Sequence, residues 1–430
     1  MKVAFCTLGC KVNQYETQAL EQLLAARGHE IVPFEGEADA YVINTCTVTA
    51  VSDKKSRQVI RRCRKAAPGA VVAVCGCYPQ THPGDVDRLG VDLIAGTGDR
   101  TGFVSLLERA WEERRPLAAL DDPFQRRTFE ELPAGGLEGR TRAMLKVEDG
   151  CVNFCTYCII PYARGRIRSL PLEDAKRQAA RLAEEGYREL VLTGIEISSW
   201  GQDLGGGLSP IDLIEGICAA APGCRVRLGS LEPRTITEDF CRRAAALDNL
   251  CPHFHLSMQS GCDGVLKRMN RKYDTARFYE SVELLRRWFD RPGITTDLIV
   301  GFPGETEEEF GQTLDFIQKC GFSAMHIFPY SRRPGTPAAR MPGQVPNAVK
   351  EERARRAAQT ARAMQRTYLE SWIGKVVPVL FEEEQGGLWR GHTTRYCEGA
   401  VPNNPEDLHN QVRSMKVERV EGTSLIGSLV

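Results

Sequence analysis

Short apolar runs alternate with stretches of helical periodicity through the first 115 residues, and this alternation constrains the fold most strongly. Runs that are apolar at nearly every position suit strands buried on both faces, and helices between such strands produce a parallel sheet. We therefore predict an α/β fold whose N-terminal domain, residues 1–115, is a parallel sheet with helices on both faces. The predicted strands are Val3–Leu8, Tyr41–Asn44, Val71–Val74 and Leu93–Ala95, and the predicted helices are Glu16–Arg27, Val51–Ala67 and Thr101–Arg114.

Residues 116–141 interrupt this pattern with prolines, glycines and aspartates, which is typical of a linker, and a second alternating series follows. Helices such as Pro171–Glu185 and Thr306–Lys319 separate most of its strands. Six such units are too few for a closed eight-fold barrel, so we predict a partial (β/α)6 barrel over residues 142–368. Its strands are Ala143–Val147, Leu190–Thr193, Val226–Gly229, Phe254–Ser257, Thr295–Val300 and Ala324–Phe328.

The last part of the chain changes from helical to β periodicity. Ala348–Trp372 has the pattern of a long basic helix, and the predicted strands Val376–Phe381 and Leu388–His392 follow, joined by a Gly-Gly turn. A further short strand is predicted near Val412–Val420. We therefore predict a small all-β barrel over residues 369–430.

Composition constrains the location of the protein and the use of its cysteines more than it constrains the activity. The 430 residues carry 56 Lys+Arg and 56 Asp+Glu, so net charge points to no particular partner. We find no targeting signal and no run of about 18 apolar residues, which predicts a cytoplasmic protein without a membrane partner. Sixteen cysteines in a long chain of this kind favour metal binding or catalysis over disulfides.

The strongest motif is a C-x3-C-x2-C run formed by Cys151, Cys155 and Cys158, which follows the first strand of the second series. Three thiolates at this spacing suit three irons of a [4Fe–4S] cubane, and the fourth iron stays open for another ligand. In a radical enzyme that ligand is S-adenosylmethionine (SAM). The alternative is a zinc loop or incidental cysteines, but zinc sites usually take four ligands as two pairs, and no second pair follows nearby.

A second set of cysteines is spread through the first domain. Cys10, Cys46 and Cys77 each come directly after a predicted strand. Because the carboxyl ends of parallel strands share one edge of a sheet, the three should converge and could hold a second cluster. Cys75 competes with Cys77, and we prefer Cys77 because it lies past Gly76, beyond the apolar run. Free cysteines are also common as small buried hydrophobes, which is the alternative here and our interpretation of the other ten.

Glycines at two strand ends are candidates for contact with the cofactor. Gly194 ends the second strand of the predicted barrel, where a missing side chain lets a ligand approach the backbone, and Glu196 follows it closely. Gly301 ends the fifth strand. The alternative for this second site is a plain strand-to-helix turn, with Thr306 and Glu309 as a capping box.

Three basic runs suggest a polyanionic partner, although any single run is more often a solvated helix face. The first is residues 54–65 of a predicted helix, where seven cations occur without an acid, and the others follow the cysteine loop or lie on the late helix. The terminal barrel has six Lys+Arg against eight Asp+Glu from Ser371 onward. If this barrel binds RNA, it must do so through its shape, base stacking and a few individually positioned side chains, such as Trp389, Arg390, Arg395 and Tyr396. The candidate RNA-binding residues of the first run are Lys54, Lys55, Arg57, Arg61 and Arg62, and the other runs contain Arg164, Arg166 and Arg168, then Arg353, Arg355, Arg356, Arg362 and Arg366.

Over nearly its whole length the sequence resembles the methylthiotransferase family of radical SAM enzymes. Four segments carry the resemblance to the branch that acts on N6-threonylcarbamoyladenosine in tRNA. After the first cysteine this chain has Lys-Val-Asn, where the isopentenyladenosine branch usually has Gln-Met-Asn and the ribosomal-protein branch Pro-Lys-Asn. Glu196 departs from the pattern, since this branch has His after Gly-Ile. The segments are Cys6–Thr17, Asp53–Gln58, Gly229–Arg234 and Tyr330–Thr336.

The resemblance implies three domains: a methylthiotransferase N-terminal domain, a radical SAM barrel and a C-terminal TRAM barrel. It implies two [4Fe–4S] clusters, held by Cys10, Cys46 and Cys77 and by the C-x3-C-x2-C run, with SAM as a further cofactor. A methylthio group would replace the hydrogen at C2 of adenosine 37, beside the anticodon of a tRNA. A reducing electron donor is also implied. The alternative substrates within the family are N6-isopentenyladenosine in tRNA and a ribosomal protein side chain.

Two functions outside this family compete with it. One is a radical SAM enzyme with an auxiliary cluster that acts on a small molecule or a protein side chain, and copurifying RNA would argue against it. The other is an iron–sulfur protein that binds RNA or senses redox state without consuming SAM. Formation of 5′-deoxyadenosine after reduction would exclude that second function.

Overall fold

The computed structural model describes residues 1–136, 140–402 and 406–430. Residues 137–139 of the predicted linker and residues 403–405 of the predicted terminal barrel lie outside the described residues. The short 3-10 helices are Pro123–Gln125, Ile197–Ser199, Pro233–Thr235 and Pro337–Arg340.

The first part of the chain forms a six-stranded parallel sheet in the order β2-β1-β3-β4-β5-β6. Alternate residues of its central strands enter two separate cores, one on each face, as the two-residue period of a strand requires. This confirms the predicted parallel sheet. The strands are β1 (Lys2–Thr7), β2 (Glu30–Val32), β3 (Ala40–Thr45), β4 (Val71–Gly76), β5 (Leu93–Ala95) and β6 (Leu117–Ala119), and the helices are α1 (Lys11–Ala26), α2 (Ala50–Ala66), α3 (Cys77–Thr81), α4 (Pro83–Asp87) and α5 (Arg100–Glu113).

The two edge strands of this sheet were not predicted. Both β2 and β6 have three residues, and β6 pairs in parallel with β5 although it lies within the predicted linker. The equally short β5 was predicted because its three apolar residues are buried, whereas β2 and β6 are partly exposed and are recognised as strands only by pairing with a neighbour.

The second αβ series forms an open barrel of parallel strands. Its described strands make a three-stranded sheet, β11-β10-β7, and a four-stranded sheet, β12-β13-β14-β15. The strands β11 and β12 are separated only by Gly229, so together they occupy one position of a six-position barrel, as predicted. A β-hairpin, β8 with β9, frames the cysteine loop. The strands are β7 (Arg142–Lys146), β8 (Glu148–Asp149), β9 (Arg168–Ser169), β10 (Glu189–Thr193), β11 (Arg225–Leu228), β12 (Ser230–Leu231), β13 (His253–Gln259), β14 (Gly293–Val300) and β15 (Ala324–Pro329), and the helices are α6 (Ile160–Arg164), α7 (Leu172–Glu184), α8 (Pro210–Ala220), α9 (Glu238–Ala245), α10 (Asp263–Arg268), α11 (Thr275–Trp288) and α12 (Glu307–Cys320).

A long helix, α13 (Asn347–Glu370), leads into a closed barrel of five described strands in the order β16-β17-β18-β20-β19. Leu369 and Trp372 at the end of the helix pack into the core of this barrel. The sequence predicted the barrel but missed β18 and β20. The strands are β16 (Val376–Gln385), β17 (Leu388–Thr393), β18 (Glu398–Pro402), β19 (Val412–Glu421) and β20 (Ser424–Leu429).

In the described parts of the chain, no helix has both the length and the apolar character needed to span a membrane.

Candidate active site between three units

The first set of predicted ligands comes together at the carboxyl edge of the N-terminal sheet. Cys10 precedes α1 after strand β1, Cys46 follows β3, and Cys77 begins α3 after β4. Burial is the main cause that raises the pKa of the Cys46 thiol to about 12, and the nearby Cys77 and Cys10 raise it further. The three thiols therefore lie close enough to interact electrostatically, as the sequence predicts.

Two glycines allow this close approach. Gly9 has a φ of +134°, and a Cβ placed on it would lie 2.8 Å from Cβ of Cys46. Gly76 has a φ of +100°, and a Cβ there would lie 2.4 Å from the carbonyl oxygen of Thr45. Both backbone conformations and both contacts exclude a side chain, so the strand ends can converge only with glycine at these positions.

Two buried asparagines lock the strand ends to one another. The Asn13 amide donates to Oδ1 of Asn44 and to the carbonyl oxygen of Thr45, both at 3.0 Å. The Asn44 amide donates in return to the carbonyl oxygen of Asn13 at 3.0 Å. Oδ1 of Asn13 also accepts a hydrogen bond of 3.2 Å from Sγ of Cys10. The position of the Cys10 thiol is thus tied to the strand that carries Cys46.

The structure separates the two neighbouring cysteines of β4. Cys75 is completely buried and packs in the core between the sheet and helices α1 and α5, with Val3, Leu20 and Val42. Cys77 lies past the Gly76 turn, and its thiol interacts with the guanidinium of Arg164. Of the two, only Cys77 is on the side of Cys10 and Cys46.

The second set lies on one loop between β8 and α6. Gly150 begins this loop with a φ of +91°, and a Cβ there would lie 1.9 Å from the carbonyl oxygen of Arg166. The backbone amide of Cys151 donates to the carbonyl oxygen of Gly165 at 3.0 Å, and that of Cys158 donates to the carbonyl oxygen of Cys155 at 2.9 Å. The loop is therefore held both by an internal backbone contact and by contacts with the segment after α6, and the backbone amide of Thr156 also donates to the carbonyl oxygen of Met269 at 3.0 Å.

The two sets face each other. Burial is the main cause that raises the pKa of Cys158 to about 12, and Cys77 of the other set is among the groups that raise it further. Arg271, which sequence reasoning missed, donates to Sγ of Cys155 at 3.2 Å. A guanidinium beside thiolate sulfur offsets negative charge, so this loop fits an anionic iron–sulfur group.

The predicted cofactor-binding residues divide into two groups. Gly194 lines the cavity of about 780 Å³ that is described below, and a Cβ on it would lie 3.0 Å from a carboxylate oxygen of Glu148. Glu196 is near Cys151 and has its pKa raised to about 7, mainly by burial and then by Glu232. Gly301 instead packs under helix α13, where a Cβ would lie 2.4 Å from Cγ of Lys350. The structure therefore does not bring Gly301 to the other two.

A buried ionic network joins the sheet to the barrel beneath both cysteine sets. Glu16 of α1 accepts from Arg100 of α5 at 2.9 Å, from Lys146 of β7 at 3.1 Å and from Arg164 of α6. Arg164, which also meets the Cys77 thiol, is fully buried. Burial raises the pKa of the Glu16 carboxyl, but the surrounding cations outweigh burial and hold it well below its usual range.

A cavity of about 780 Å³ opens between the three units of the chain. The N-terminal domain contributes Gly9, Cys10 and Lys11 to its wall, and the inner faces of the barrel strands contribute much of the rest. The remaining wall comes from α13 and the terminal barrel, including Gln365, Leu369, His392, Arg395, Tyr396 and Thr423.

Three further wall residues form a cluster that sequence reasoning missed. Asp297 of β14 contacts Nε2 of His255 at 3.3 Å through one oxygen and Nδ1 of His326 at 3.2 Å through the other. Their ligand atoms lie within 4.8 Å of one another, which is compatible with a metal ion. Asp297 lies directly opposite His326 in the register of β14 and β15, whereas His255 lies opposite Thr295, two residues before Asp297. Only the strand register reveals this proximity.

The three basic runs differ in the structure. Arg164 and Arg168 are buried and paired with acids, so the hypothesis that they form an RNA surface is wrong. On α13 the buried Arg353 pairs with Glu305, and Arg355 pairs with Glu352. On α2 the side chains of Lys54, Lys55, Arg61 and Arg62 are exposed and form no ion pair with any described residue, whereas Arg57 donates to the Tyr78 hydroxyl at 2.8 Å.

The four candidate RNA-binding residues of the terminal barrel differ in exposure and in contacts. Trp389 is buried in the core of that barrel and cannot stack on a base. Arg390 pairs with Glu398, and Arg395 lies over the ring of Trp372 at 5.0 Å. Tyr396 is half-exposed and lines the cavity of about 780 Å³.

Comparison with known proteins agrees with this geometry. Residues 145–317 match the Radical SAM superfamily, which implies a [4Fe–4S] cluster and SAM, and residues 2–96 match uncharacterized protein family UPF0004. The threonylcarbamoyladenosine tRNA methylthiotransferase MtaB of Bacillus subtilis (strain 168) is 42% identical over 96% of this chain and 93% of its own length. The tRNA-2-methylthio-N(6)-dimethylallyladenosine synthase of Acetivibrio thermocellus is 34% identical over 100% of this chain and 91% of its own length.

Solved structures support the fold at low sequence identity. The radical S-adenosylmethionine methyltransferase TsrM from Kitasatospora setae, with tryptophan and a SAM analogue bound, superposes with a TM-score of 0.59 at 16% identity. The match covers 78% of this chain and 74% of that one. With its motifs, its open barrel and these relatives in agreement, the chain belongs to the radical SAM methylthiotransferase family.

Proposed function

We propose that this enzyme is a tRNA methylthiotransferase that replaces the hydrogen at C2 of N6-threonylcarbamoyladenosine 37 with a methylthio group. The observation that carries the proposal is the meeting of two cysteine sets beside one cavity. Cys77 and Cys158 interact electrostatically, and Cys10 of the first set lies in the cavity wall. A methylthiolation needs a source of the group and a means of breaking a C–H bond at the same atom, and two adjacent metal-binding sets suit both needs.

The loop set, Cys151, Cys155 and Cys158, is the proposed holder of the radical SAM cluster. The strand-end set, Cys10, Cys46 and Cys77, is the proposed holder of a second [4Fe–4S] cluster. When bound, the loop-set cluster would supply the electron that cleaves one SAM, and the strand-end cluster would hold the sulfur that another SAM methylates. Gly194 and Glu196 are the proposed neighbours of SAM, because Gly194 lines the cavity and Glu196 interacts electrostatically with Cys151 of the loop set.

The chain's own residues position the reactants and exclude water. The asparagine lock fixes Cys10 relative to Cys46, and the Glu16 network fixes the loop set relative to the sheet. Cavities that take small ligands have volumes of about 300–1,000 Å³, so a cavity of about 780 Å³ suits one modified nucleoside. A base beside an anticodon is presented from a loop and enters without opening a long duplex.

The proposed tRNA surface is the exposed face of α2, which follows Cys46 and therefore flanks the strand-end set. Lys54, Lys55, Arg61 and Arg62 are exposed and can meet phosphates, and neutralising phosphates releases counterions. A reducing electron donor is a further proposed partner, since cleavage of SAM consumes an electron. We also propose that the enzyme works in the cytoplasm.

Reaction with defined RNAs tests this proposal. The reconstituted enzyme is incubated anaerobically with SAM, reductant and an anticodon stem-loop that carries either N6-threonylcarbamoyladenosine or N6-isopentenyladenosine at position 37. Mass spectrometry of the digested RNA should show the methylthio derivative of the threonylcarbamoyl nucleoside. Conversion of the isopentenyl RNA alone would establish the second candidate function, which the 34% identity to the Acetivibrio thermocellus enzyme favours.

A further inference from the structure

We propose that Lys11 binds the carboxylate of the threonylcarbamoyl group and so selects this substrate over bases with an apolar N6 substituent. This inference rests on the proposed function and assigns one residue of the substrate site. It is a claim about substrate recognition, and Lys11 performs no chemistry in it.

Lys11 is placed where such a contact is needed. It is the first residue of α1 and directly follows Cys10, and both residues line the cavity of about 780 Å³. Lys11 also lines an adjoining cavity of about 1040 Å³, whose wall includes Gln14, Arg142 and Tyr396. Its side chain therefore lies where the two cavities meet.

The ammonium of Lys11 is unpaired within the described part of the chain. Among the described residues it makes no hydrogen bond and no ion pair, and its side chain is exposed to the cavities. A cation that is surrounded by protein but not paired lacks compensation for its lost hydration, and a ligand carboxylate supplies that compensation.

The other cations close to Lys11 are already engaged. Arg227 makes two hydrogen bonds to the carboxylate of Glu189, at 2.7 and 2.8 Å, and lies 4.9 Å from the ring centre of Tyr396. Arg142 pairs with Glu382 at 2.5 Å. Lys11 thus carries an unpaired charge beside two arginines that are already paired with carboxylates.

The geometry of adenine explains why the neighbour of Cys10 should contact the N6 group. Both C2 and C6 are bonded to N1, so the reacting carbon and the N6 substituent lie at the same edge of the base. If C2 faces the strand-end set, the N6 substituent falls beside the residues next to that set. A threonylcarbamoyl carboxylate, with an ordinary pKa of about 3.5, is ionised at neutral pH, whereas an isopentenyl group offers no charge.

Selection follows from the cost of an unmatched charge. An apolar substituent in this place would bury Lys11 without a partner, whereas the carboxylate forms a charge-assisted hydrogen bond with it. A site that contains a buried polar group rejects ligands that leave the group unpaired much more strongly than an apolar site rejects an extra methylene.

Two stem-loop RNAs test the inference: one with N6-threonylcarbamoyladenosine, and one in which its carboxylate is replaced by the primary amide. The variants are Lys11→Gln, Lys11→Arg and, as a matched control, Lys176→Gln on the outer face of α7, where Lys176 pairs with Glu173. For each reconstituted full-length protein, the Kd is measured without SAM, and KM and kcat are measured with it.

The wild type should bind the carboxylate RNA at least about tenfold more tightly than the amide RNA, and Lys11→Gln should abolish this preference through Kd and KM. Lys11→Arg should restore most of it, and Lys176→Gln should behave as the wild type does. Because the preference is a ratio within one protein, partial loss of a cluster leaves it unchanged.

The inference is overturned if Lys11→Gln keeps the preference, or if the wild type has none. In the first case the enzyme still methylthiolates the threonylcarbamoyl RNA, so the proposed function stands and only the role of Lys11 fails. If instead the wild type modifies only the isopentenyl RNA, the proposed function itself fails, and the two failures are thereby distinguished.

Discussion

The two cysteine sets are built in different ways. Cys151, Cys155 and Cys158 belong to a single loop and lie within eight consecutive residues of the chain. Cys10, Cys46 and Cys77 come from three strands and meet only because Gly9 and Gly76 let the strand ends approach. The loop set is therefore encoded locally, whereas the strand-end set depends on the folded sheet. Substitutions in the sheet should thus disrupt one set and spare the other.

The largest expected effect is removal of the loop set. Changing Cys151, Cys155 and Cys158 together to Ala should abolish SAM cleavage and lower the iron content from about eight to about four per chain, because each cubane holds about four irons. Anaerobic iron analysis and detection of 5′-deoxyadenosine measure the two effects. A wild-type content near four irons would show that the strand-end set holds no cluster.

Within the strand-end set, the neighbours Cys77 and Cys75 should differ sharply. Cys77→Ala should abolish methylthiolation while SAM cleavage persists, because only Cys77 lies on the side of Cys10 and Cys46. Cys75→Ala removes one buried sulfur from the core and should leave activity in place at a modest cost in stability. The reverse result, with Cys75→Ala inactive and Cys77→Ala active, would reverse the ligand assignment.

The stability of the contact between the N-terminal sheet and the barrel should depend on Glu16. Glu16→Gln leaves the buried Arg100 without a carboxylate partner and leaves Lys146 and Arg164 with Asp149 alone. Loss of one partner from a buried ion pair costs about 3–5 kcal/mol of stability. Its pKa is lowered by folding, so the carboxylate contributes stability above the unfolded pKa of about 4.3, and this contribution is lost as the pH falls below that value.

Thermal unfolding between about pH 3 and 7 measures both effects of Glu16→Gln, since this interval spans the unfolded pKa of Glu. The variant should be less stable than the wild type at pH 7, and the difference should shrink toward acid pH. A constant difference over this range would show that the charge of Glu16 does not stabilise the fold.

A smaller effect is expected from Gly76→Ala. The added Cβ would lie 2.4 Å from the carbonyl oxygen of Thr45 in a backbone conformation with a φ of +100°, and such strain costs about 1–3 kcal/mol. Iron should be lost from the strand-end set and kept in the loop set. Gly69→Ala is the matched control, because no described atom lies within 4 Å of its Cβ position. Equal loss from both sets would mean that they are not independent.

The smallest expected effect concerns RNA affinity. Changing Lys55, Arg61 and Arg62 together to Ala should weaken tRNA binding and flatten its salt dependence, by a slope of about 0.9 for each phosphate that the protein no longer neutralises. The triple change of Arg355, Arg356 and Arg366 is the control, since these cations pair with glutamates on or near α13. Unchanged affinity of the α2 variant at near-physiological salt would show that this helix face is solvated and does not contact tRNA.

The sequence predicted most of what is locally encoded. The buried central strands and the capping box of Thr306 and Glu309 agree with the structure, because each depends on residues close in the chain. The convergence of Cys10, Cys46 and Cys77 was also predictable, because parallel topology places equivalent strand ends together.

What the sequence did not reveal depends on tertiary packing. Arg164 and Arg168 were predicted to face RNA, but they are buried and pair with Glu16 and Asp149. The His255, Asp297 and His326 cluster follows from strand register, and the position of Gly301 follows from the packing of Lys350. Neither register nor long-range packing leaves a periodic signal in a single sequence.

The order in which the cavity wall is synthesised has a consequence for maturation. Gly9 and Thr423 line the same cavity, so its wall is complete only when almost the whole chain has been made. At about 5–20 residues per second, roughly 20 to 80 s separate the two residues on the ribosome. The six cysteines of the two sets all precede residue 159, and the terminal barrel is synthesised last. Both cysteine sets are therefore synthesised while this side of the cavity is still open, before the terminal barrel completes its wall.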